Sequence, residues 1–458
     1  MPSAERTYSQ HFYRPTAQSM LRSELAQLQN TKLRQLINRV WDEPIPFFKR
    51  KMESVGLRPE HIRTVDDLKR LPPTIKDELR VNEEEYPPYG DYRGAAVTDC
   101  IRLGRTTGTT GKPSTLLWTK RDYEIDAEIS ARSMRRCGIT SGMKLTHTHP
   151  GGLYAGADRL GSVTEAAGVM NVPMGPPLSD DVIKDHLQLW KKIRPESFVL
   201  FGPVMLRYHE SALKLGYDPH NDFGMKFLLI GEAACQYEST RNKYEKFFDC
   251  EVHNLNGSLE IGVIMATDCK VHNGMHAPED YVILEVIDPE TNEPTPPGEL
   301  GYLTLTTFDR DNIVLRYNLE DLVRVNPDPC PCGETHIRFF WQGRKQEIVN
   351  VRGKDVLPVD VMVTLNELSE LGDRPVEFQM ERWGKTQDRL KVNLEYDPAR
   401  IADTTSFVDK IKEHFRTRLG IPVQPELVDT AVYRSTYKPM RVIDVAKDQA
   451  EGVGNGTE

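Results

Sequence analysis

The chain has 458 residues, of which 38% are hydrophobic and 28% charged, with a formal net charge of −9. That length exceeds one ordinary core and implies two or three domains. The composition is that of a soluble globular protein, and an acidic balance without a Lys/Arg run excludes a general nucleic-acid binder. No stretch approaches the roughly 18 uninterrupted apolar residues of a membrane span. The start, Met1-Pro2-Ser3-Ala4-Glu5-Arg6, carries no secretory signal, and seven cysteines fit reduced thiols in the cytoplasm rather than a disulfide framework.

Residues 18 to 55 read as helical, with Leu21, Leu25, Leu28, Leu33, Leu36 and Ile37 near helical spacing. Asp66 to Pro73 reads as a short helix ended by proline. Next comes Arg105-Thr106-Thr107-Gly108-Thr109-Thr110-Gly111-Lys112-Pro113-Ser114, between the apolar runs Ile101/Leu103 and Leu116-Leu117-Trp118. Its glycines let the backbone approach an anion, its threonines and successive N–H groups donate, and Lys112 brings charge. It is a candidate phosphate loop, though not of the G-x-x-x-x-G-K-[ST] type; a surface hairpin turn is the equally available reading. Helices are expected over Asp122–Cys137, Asp181–Ile193 and Val204–Leu215, and strands over Ser197–Phe201 and Phe227–Ile230. This alternation implies a largely parallel sheet covered by helices. Strands separated by Pro/Gly/Asn turns follow at 281–287, 301–307 and 321–325, as in an antiparallel meander or barrel. A smaller unit comes last, with strands at 376–380 and 390–395 and a helix over 405–419. The expected domains are 1–343, 344–447 and a disordered tail at 448–458.

Further motifs stand in a fixed order. Gly231-Glu232-Ala233 follows a buried strand, where ligands collect in α/β sheets. Then come Asn256-Gly257-Ser258-Leu259-Glu260, Arg316-Tyr317-Asn318-Leu319-Glu320-Asp321, Gly343-Arg344 and Lys438-Pro439-Met440-Arg441-Val442. The succession resembles the adenylate-forming superfamily of acyl-CoA synthetases, luciferases and peptide-synthetase adenylation domains. Within it the chain is most similar to the phenylacetate-CoA ligase family. Glu285-Val286-Ile287-Asp288-Pro289-Glu290-Thr291, Pro297-Gly298-Glu299-Leu300-Gly301 and Cys330-Pro331-Cys332-Gly333-Glu334-Thr335-His336 carry that match, and the likeness runs from about residue 20 to 445.

The resemblance implies an α/β protein. It has a large N-terminal adenylating domain, with mixed and parallel sheets under helices plus a small barrel-like part, and a small α+β C-terminal domain hinged after Gly343-Arg344. It implies that a carboxylate attacks the α-phosphorus of ATP, giving acyl-adenylate and pyrophosphate, and that the thiol of coenzyme A then displaces AMP. In this reading Thr106, Thr107, Gly108, Thr109, Thr110, Gly111 and Lys112 hold the β- and γ-phosphates, and Lys438 bridges carboxylate and α-phosphate. Glu260 holds Mg2+. Asp321 accepts from the ribose hydroxyls, Arg344 donates to ribose or phosphate, and Gly231, Glu232 and Ala233 flank adenine. Three positions depart from the family: Asn256 stands for an aromatic that stacks on adenine, Glu320 for a glycine, and Lys345-Gln346-Glu347 for a hinge with two aspartates.

Cys330 and Cys332, one residue apart in a Pro/Gly turn, can face one metal ion, and Cys269 with His276 lies upstream. Relatives with this cysteine pair look zinc-bound at the four matching positions, so a structural Zn2+ is expected; Cys250 with His253 is the competing source of the other two ligands. His147 and His149 flank a glycine-rich stretch that in the family borders the acyl pocket, so Tyr154 and Gly156 become candidate substrate residues, with a plain glycine loop as the alternative. The expected partners are a small-molecule carboxylate, ATP and coenzyme A, with no nucleic acid and no membrane; a homodimer is left open. Transfer of the acyl group to a carrier-protein thiol or an amine is the rival reading within the fold. A silent nucleotide-binding module is the rival outside enzymes, and Lys438 and Asp321 argue against it.

Overall fold

A computed structural model describes residues 11–43, 45–106, 113–288, 290–428 and 440–445. The expected disordered tail at 448–458 lies outside them. The chain divides into two compact units, one from Met1–Gly175 and His253–Trp341, the other from Pro176–Val252 and Gln342–Glu458. Among the described residues no helix is long and apolar enough to cross a membrane.

The first unit opens with the helices Pro15–Gln18, Arg22–Asp42 and Pro46–Ser54. The long one buries Leu25, Leu33, Leu36 and Ile37, as their spacing predicts, while Leu21 precedes it as the exposed N-cap; it also buries Val40 and Gln29, whose amide donates to the carbonyls of Glu279 and Val282 at 2.9 and 3.2 Å. Its apolar face shares one core with Phe48, Met52, Ile313, Leu315 and Tyr317. Strands Val282–Ile287, Gly301–Thr307, Tyr317–Asn326, Arg338–Arg344, Met275–His276, Gly262–Thr267 and Glu251–Ser258 are neighbours in that order. The first three form an antiparallel meander. Every residue of Gly301–Thr307 is buried, which explains its unbroken β-branched and apolar run. Helix Lys120–Arg136 packs on strand Gly262–Thr267 and on helix Ala155–Ala166. It starts on a capping box in which Thr119 and Asp122 hydrogen-bond each other's backbone N–H.

The meander is bulged at the stretch Leu319–Asp321. Tyr302 pairs with Leu322 and Thr304 with Asn318, so Leu319, Glu320 and Asp321 lie opposite Leu303 alone. Glu320 takes a φ of 61° there, its N–H donating to Asn318 Oδ1 at 2.7 Å. The glycine that the family resemblance places at this position thus has a physical reason, because a left-handed residue bears no Cβ penalty when it is glycine. Glu320→Gly is expected to stabilise the first unit by about 0.5–1 kcal/mol, the relieved Cβ strain exceeding the added chain entropy. A denaturant midpoint that falls instead would refute this account of the bulge.

In the second unit, Ser197–Val199 pairs in parallel with Phe227–Ile230, Ser197 opposite Phe227. Helices Asp180–Ile193, Gly202–Lys214 and Glu238–Phe248 belong to this unit, and Trp190 packs against Phe198, Tyr208 and Phe223. A second sheet has the strand order Val423–Val428, Leu390–Glu395, Phe378–Arg382, Val442–Asp444. Helix Thr404–Leu419 packs on its Val423–Val428 strand. Its Phe407, Ile411 and Phe415 are buried, and Gly420 ends it at a φ of 62°.

Candidate active site

The strands Cys100–Arg105 and Thr115–Thr119 are antiparallel, with Arg105 opposite Thr115, so the Gly/Thr stretch joins the arms of a hairpin. Thr107, Gly108, Thr109, Thr110, Gly111 and Lys112 lie outside the described residues. The base of the loop is fixed. Thr106 N donates to the Ser114 carbonyl at 3.1 Å, and Ser114 N returns to Thr106 Oγ1 at 3.0 Å. Arg105 N donates to the Leu153 carbonyl at 2.6 Å, and Arg105 forms a parallel bridge with Tyr154. Tyr154 immediately precedes helix Ala155–Ala166, which the glycine-rich sequence does not announce. Gly156 lies under the Tyr154 ring, where a Cβ would come within 2.6 Å of ring carbons. Thr106, Tyr154 and Gly156 are therefore held close together at the mouth of the loop.

Glu260 follows strand Glu251–Ser258 and lines a cavity with Ser114, Trp118, Arg310, Tyr92 and Tyr317. Burial drives both tyrosine hydroxyls well above their usual range, and the charge of Glu260 adds to it, so both remain protonated beside the carboxylate. Asn256 is 5% exposed, and its Oδ1 has no hydrogen-bond partner among the described residues. At Gly257 the backbone passes so close to the opposite strand that a Cβ would lie 2.1 Å from the Val263 carbonyl oxygen. Only glycine fits. Gly257→Ala is expected to cost about 1–3 kcal/mol through this overpacking, read as a lower urea midpoint; an unchanged midpoint would contradict the close approach. Asp321 sits on the bulge, 5% exposed.

One group that the sequence reading missed supports this site. Asp126, inside helix Lys120–Arg136, is paired with both Arg159 and Arg310, and all three are nearly inaccessible. Arg310 also donates to the carbonyl of Ile261, the residue after Glu260. Arg159 also lies over the Tyr123 ring, 3.5 Å from its centroid.

In the second unit, Gly231 and Glu232 follow strand Phe227–Ile230, and Ala233 opens a short 3-10 turn. Glu232 Oε2 meets Arg441 at 3.4 Å, and Arg441 meets Glu377 at 2.8 Å. Arg344 ends its strand with its N–H donating to Glu347 Oε2 at 2.9 Å, just after Gly343 with a φ of 124°. Glu347, one of the departing hinge residues, thus caps the turn that follows the strand. Lys438 lies outside the described residues.

Cys269, His276, Cys330 and Cys332 converge, their donor atoms all within 4.8 Å of one another. A tetrahedral ion with bonds of about 2.3 Å to sulfur and 2.0–2.1 Å to nitrogen sets sulfurs about 3.7 Å apart and sulfur about 3.5 Å from nitrogen. The Cys269 and Cys330 sulfurs are 3.7 Å apart, and Cys332 Sγ is 3.5 Å from His276 Nε2. The donor set fits a closed structural site. His253, the competing ligand, turns instead to Asp268, with Nδ1 at 2.9 Å from Oδ1. Beside the four donors, the buried Glu334 carboxylate is held by Arg136 at 2.7 Å, and the Glu334 N–H donates to Cys332 Sγ at 3.4 Å.

No family model matches the chain. The phenylacetate-coenzyme A ligase of Thermus thermophilus is 30% identical over 363 residues, covering 78% of this chain and 79% of its own length. The phenylacetate-coenzyme A ligase of Escherichia coli K12 is 25% identical over 431 residues, covering 92% and 95%. Among solved structures, 2-hydroxyisobutyryl-CoA ligase in the postadenylation state with 2-HIB-AMP superposes with a TM-score of 0.87 at 23% identity, over 99% of this chain and 96% of that one. A benzoate CoA ligase from Burkholderia xenovorans LB400 gives 0.55 at 16% identity, over 76% and 68%. At these identities the structural likeness establishes the fold, that of two-domain adenylate-forming enzymes.

Proposed function

The chain belongs to the phenylacetate-coenzyme A ligase family, and we propose that it is an ATP-dependent, AMP-forming ligase that joins an aryl or arylacetic acid to coenzyme A. The observation that carries this reading is the 30% identity to such a ligase across 78% of the chain. The local geometry supports it: Glu260 lines one cavity with Ser114, the residue that closes the base of the Thr106 loop.

In the first half-reaction a carboxylate oxygen of the acid bonds to the α-phosphorus of ATP while the bond to the bridging oxygen breaks and pyrophosphate leaves. Little covalent help is needed, and positioning with charge neutralisation dominates. Thr106 through Lys112 grip the departing phosphates with hydroxyls, backbone N–H groups and the Lys112 ammonium. Lys438 bridges the attacking carboxylate and the α-phosphate, where negative charge accumulates. Asp321 accepts from the ribose hydroxyls, Arg344 donates to ribose or phosphate, and Gly231, Glu232, Ala233, Asn256 and Gly257 border the base. Glu260 is the carboxylate that holds Mg2+, which shields the phosphate charge when bound. Tyr154, folded over Gly156, offers its ring to the aromatic acid. In the second half-reaction the sulfur of coenzyme A bonds to the acyl carbon and AMP leaves with the bonding pair.

Zinc on Cys269, His276, Cys330 and Cys332 pins the meander and takes no part in the chemistry. Seven cysteines outside any disulfide support a reducing compartment, the cytoplasm. The test is AMP release from ATP with a panel of aryl, arylacetic and aliphatic acids, with and without coenzyme A. Acid-dependent AMP with stoichiometric thioester is expected, with aryl acids preferred. No AMP with any acid would overturn the enzyme reading. AMP without thioester would overturn the acceptor, and a preference for aliphatic acids the substrate class.

A further inference from the structure

A second group of donors lies next to the four-residue set and is used by nothing described so far. The Cys137 thiol, the His253 imidazole and the Asp268 carboxylate each place one donor atom within 4.8 Å of the others. Their exposures are 0%, 0% and 2%. They come from three separate places: the C-cap of helix Lys120–Arg136, strand Glu251–Ser258, and the residue just beyond strand Gly262–Thr267.

We propose that Cys137, His253 and Asp268 form a second metal site, for a zinc-type dication, distinct from the Cys269, His276, Cys330 and Cys332 set, which begins at the next residue after Asp268. Sulfur, imidazole and carboxylate together are the donor mixture a borderline dication takes. His253 Nδ1 and Asp268 Oδ1 are hydrogen-bonded at 2.9 Å, and an ion between them would widen the pair to the roughly 3.3 Å between corners of a tetrahedron with metal bonds of about 2.0 Å. Asp268 is held in place from outside. His272 Nδ1 sits 2.6 Å from its second oxygen, and the Asn254 N–H donates to the first at 3.1 Å. Outer hydrogen bonds of this kind orient a ligating carboxylate.

Charge supports the same reading. Thiol, imidazolium and carboxylate sum to zero, and a dication that displaces the thiol and imidazolium protons leaves the buried set at zero. Two protons are released and no oxidant or reductant is involved. Cys137 also ends a 17-residue helix, whose C-terminal partial negative charge favours a cation. The Cys137 thiol is held at this point by the Asp268 carbonyl, 3.8 Å from its sulfur, a weak contact that a metal bond would exceed.

This inference does not rest on the proposed reaction, and its readout is metal, not turnover. The full-length protein, purified from zinc-supplemented culture, should carry two zinc ions per chain by elemental analysis. Cys137→Ala should carry one, Cys332→Ser one, and the double variant none. After removal of zinc, cobalt should saturate the natural chain at two equivalents, with thiolate-to-cobalt absorption from both. In Cys332→Ser a single equivalent with the weaker absorption of one thiolate should remain. One ion per chain that disappears in Cys332→Ser, or two ions retained in Cys137→Ala, would overturn the second site. If Cys137→Ala does not fold, cobalt saturation of the natural chain at one equivalent is the overturning result.

Discussion

Replacing Lys438 with alanine is expected to lower adenylation about 100- to 1,000-fold, the scale on which one preorganised group at a developing charge contributes. ATP–pyrophosphate exchange reads this half-reaction alone. Thioester formation from supplied acyl-adenylate and coenzyme A should stay near the parental rate, because no phosphorus–oxygen bond is broken in it. The described chain resumes beside this lysine at Met440, and there it is firmly held. The Arg441 carbonyl accepts from Met380 N at 2.7 Å, its guanidinium lies 5.0 Å from the Phe378 ring and pairs with Glu377, and Val442–Asp444 joins the sheet in parallel with Phe378–Arg382. Equal loss in both half-reactions would sink the assignment.

Asp126→Asn is expected to destabilise the first unit by about 3–5 kcal/mol, the range for removing one partner from a buried ion pair. Here the loss strands two cations, since Arg159 and Arg310 share this carboxylate. Urea unfolding followed by tryptophan fluorescence should show the shift directly, and a change under about 1 kcal/mol would mean that the two arginines find other acceptors. Activity should fall as well, because Arg310 also holds the carbonyl next to Glu260.

Asp126 also shows where sequence reasoning stops. A carboxylate in an amphipathic helix reads as solvent-facing, and only the fold reveals two arginines, from 159 and 310, turned toward it. Helix Thr404–Leu419 was legible because Phe407, Ile411 and Phe415 repeat at helical spacing and Gly420 stops it. Helix Ala155–Ala166 was not, since Gly156 and Gly161 carry no helical signal and are there to clear Tyr154 and Asn171. The same limit applies to metal donors. Cys330 and Cys332 announce themselves by spacing, whereas Cys137, His253 and Asp268 are far apart in sequence and adjacent only in space. Glu320 is the opposite case: the sequence marks it as a departure from glycine, and its positive φ supplies the cause.

The four-donor set has a topological consequence. Cys269 and Cys330 are 61 positions apart, and the strands Val282–Ile287, Gly301–Thr307 and Tyr317–Asn326 all lie between them. For as long as the ion stays bound, it closes that stretch into a ring. In the chain-entropy picture a ring of this size removes about 4 kcal/mol of disorder from the unfolded chain. The bulge bearing Asp321 is inside the ring, while the exposed turn at 290–299 is its natural point of entry for a protease. Chain nicked in that turn should therefore stay in one piece through mild denaturation, its two fragments joined by the ion, and should part only when a chelator removes that ion.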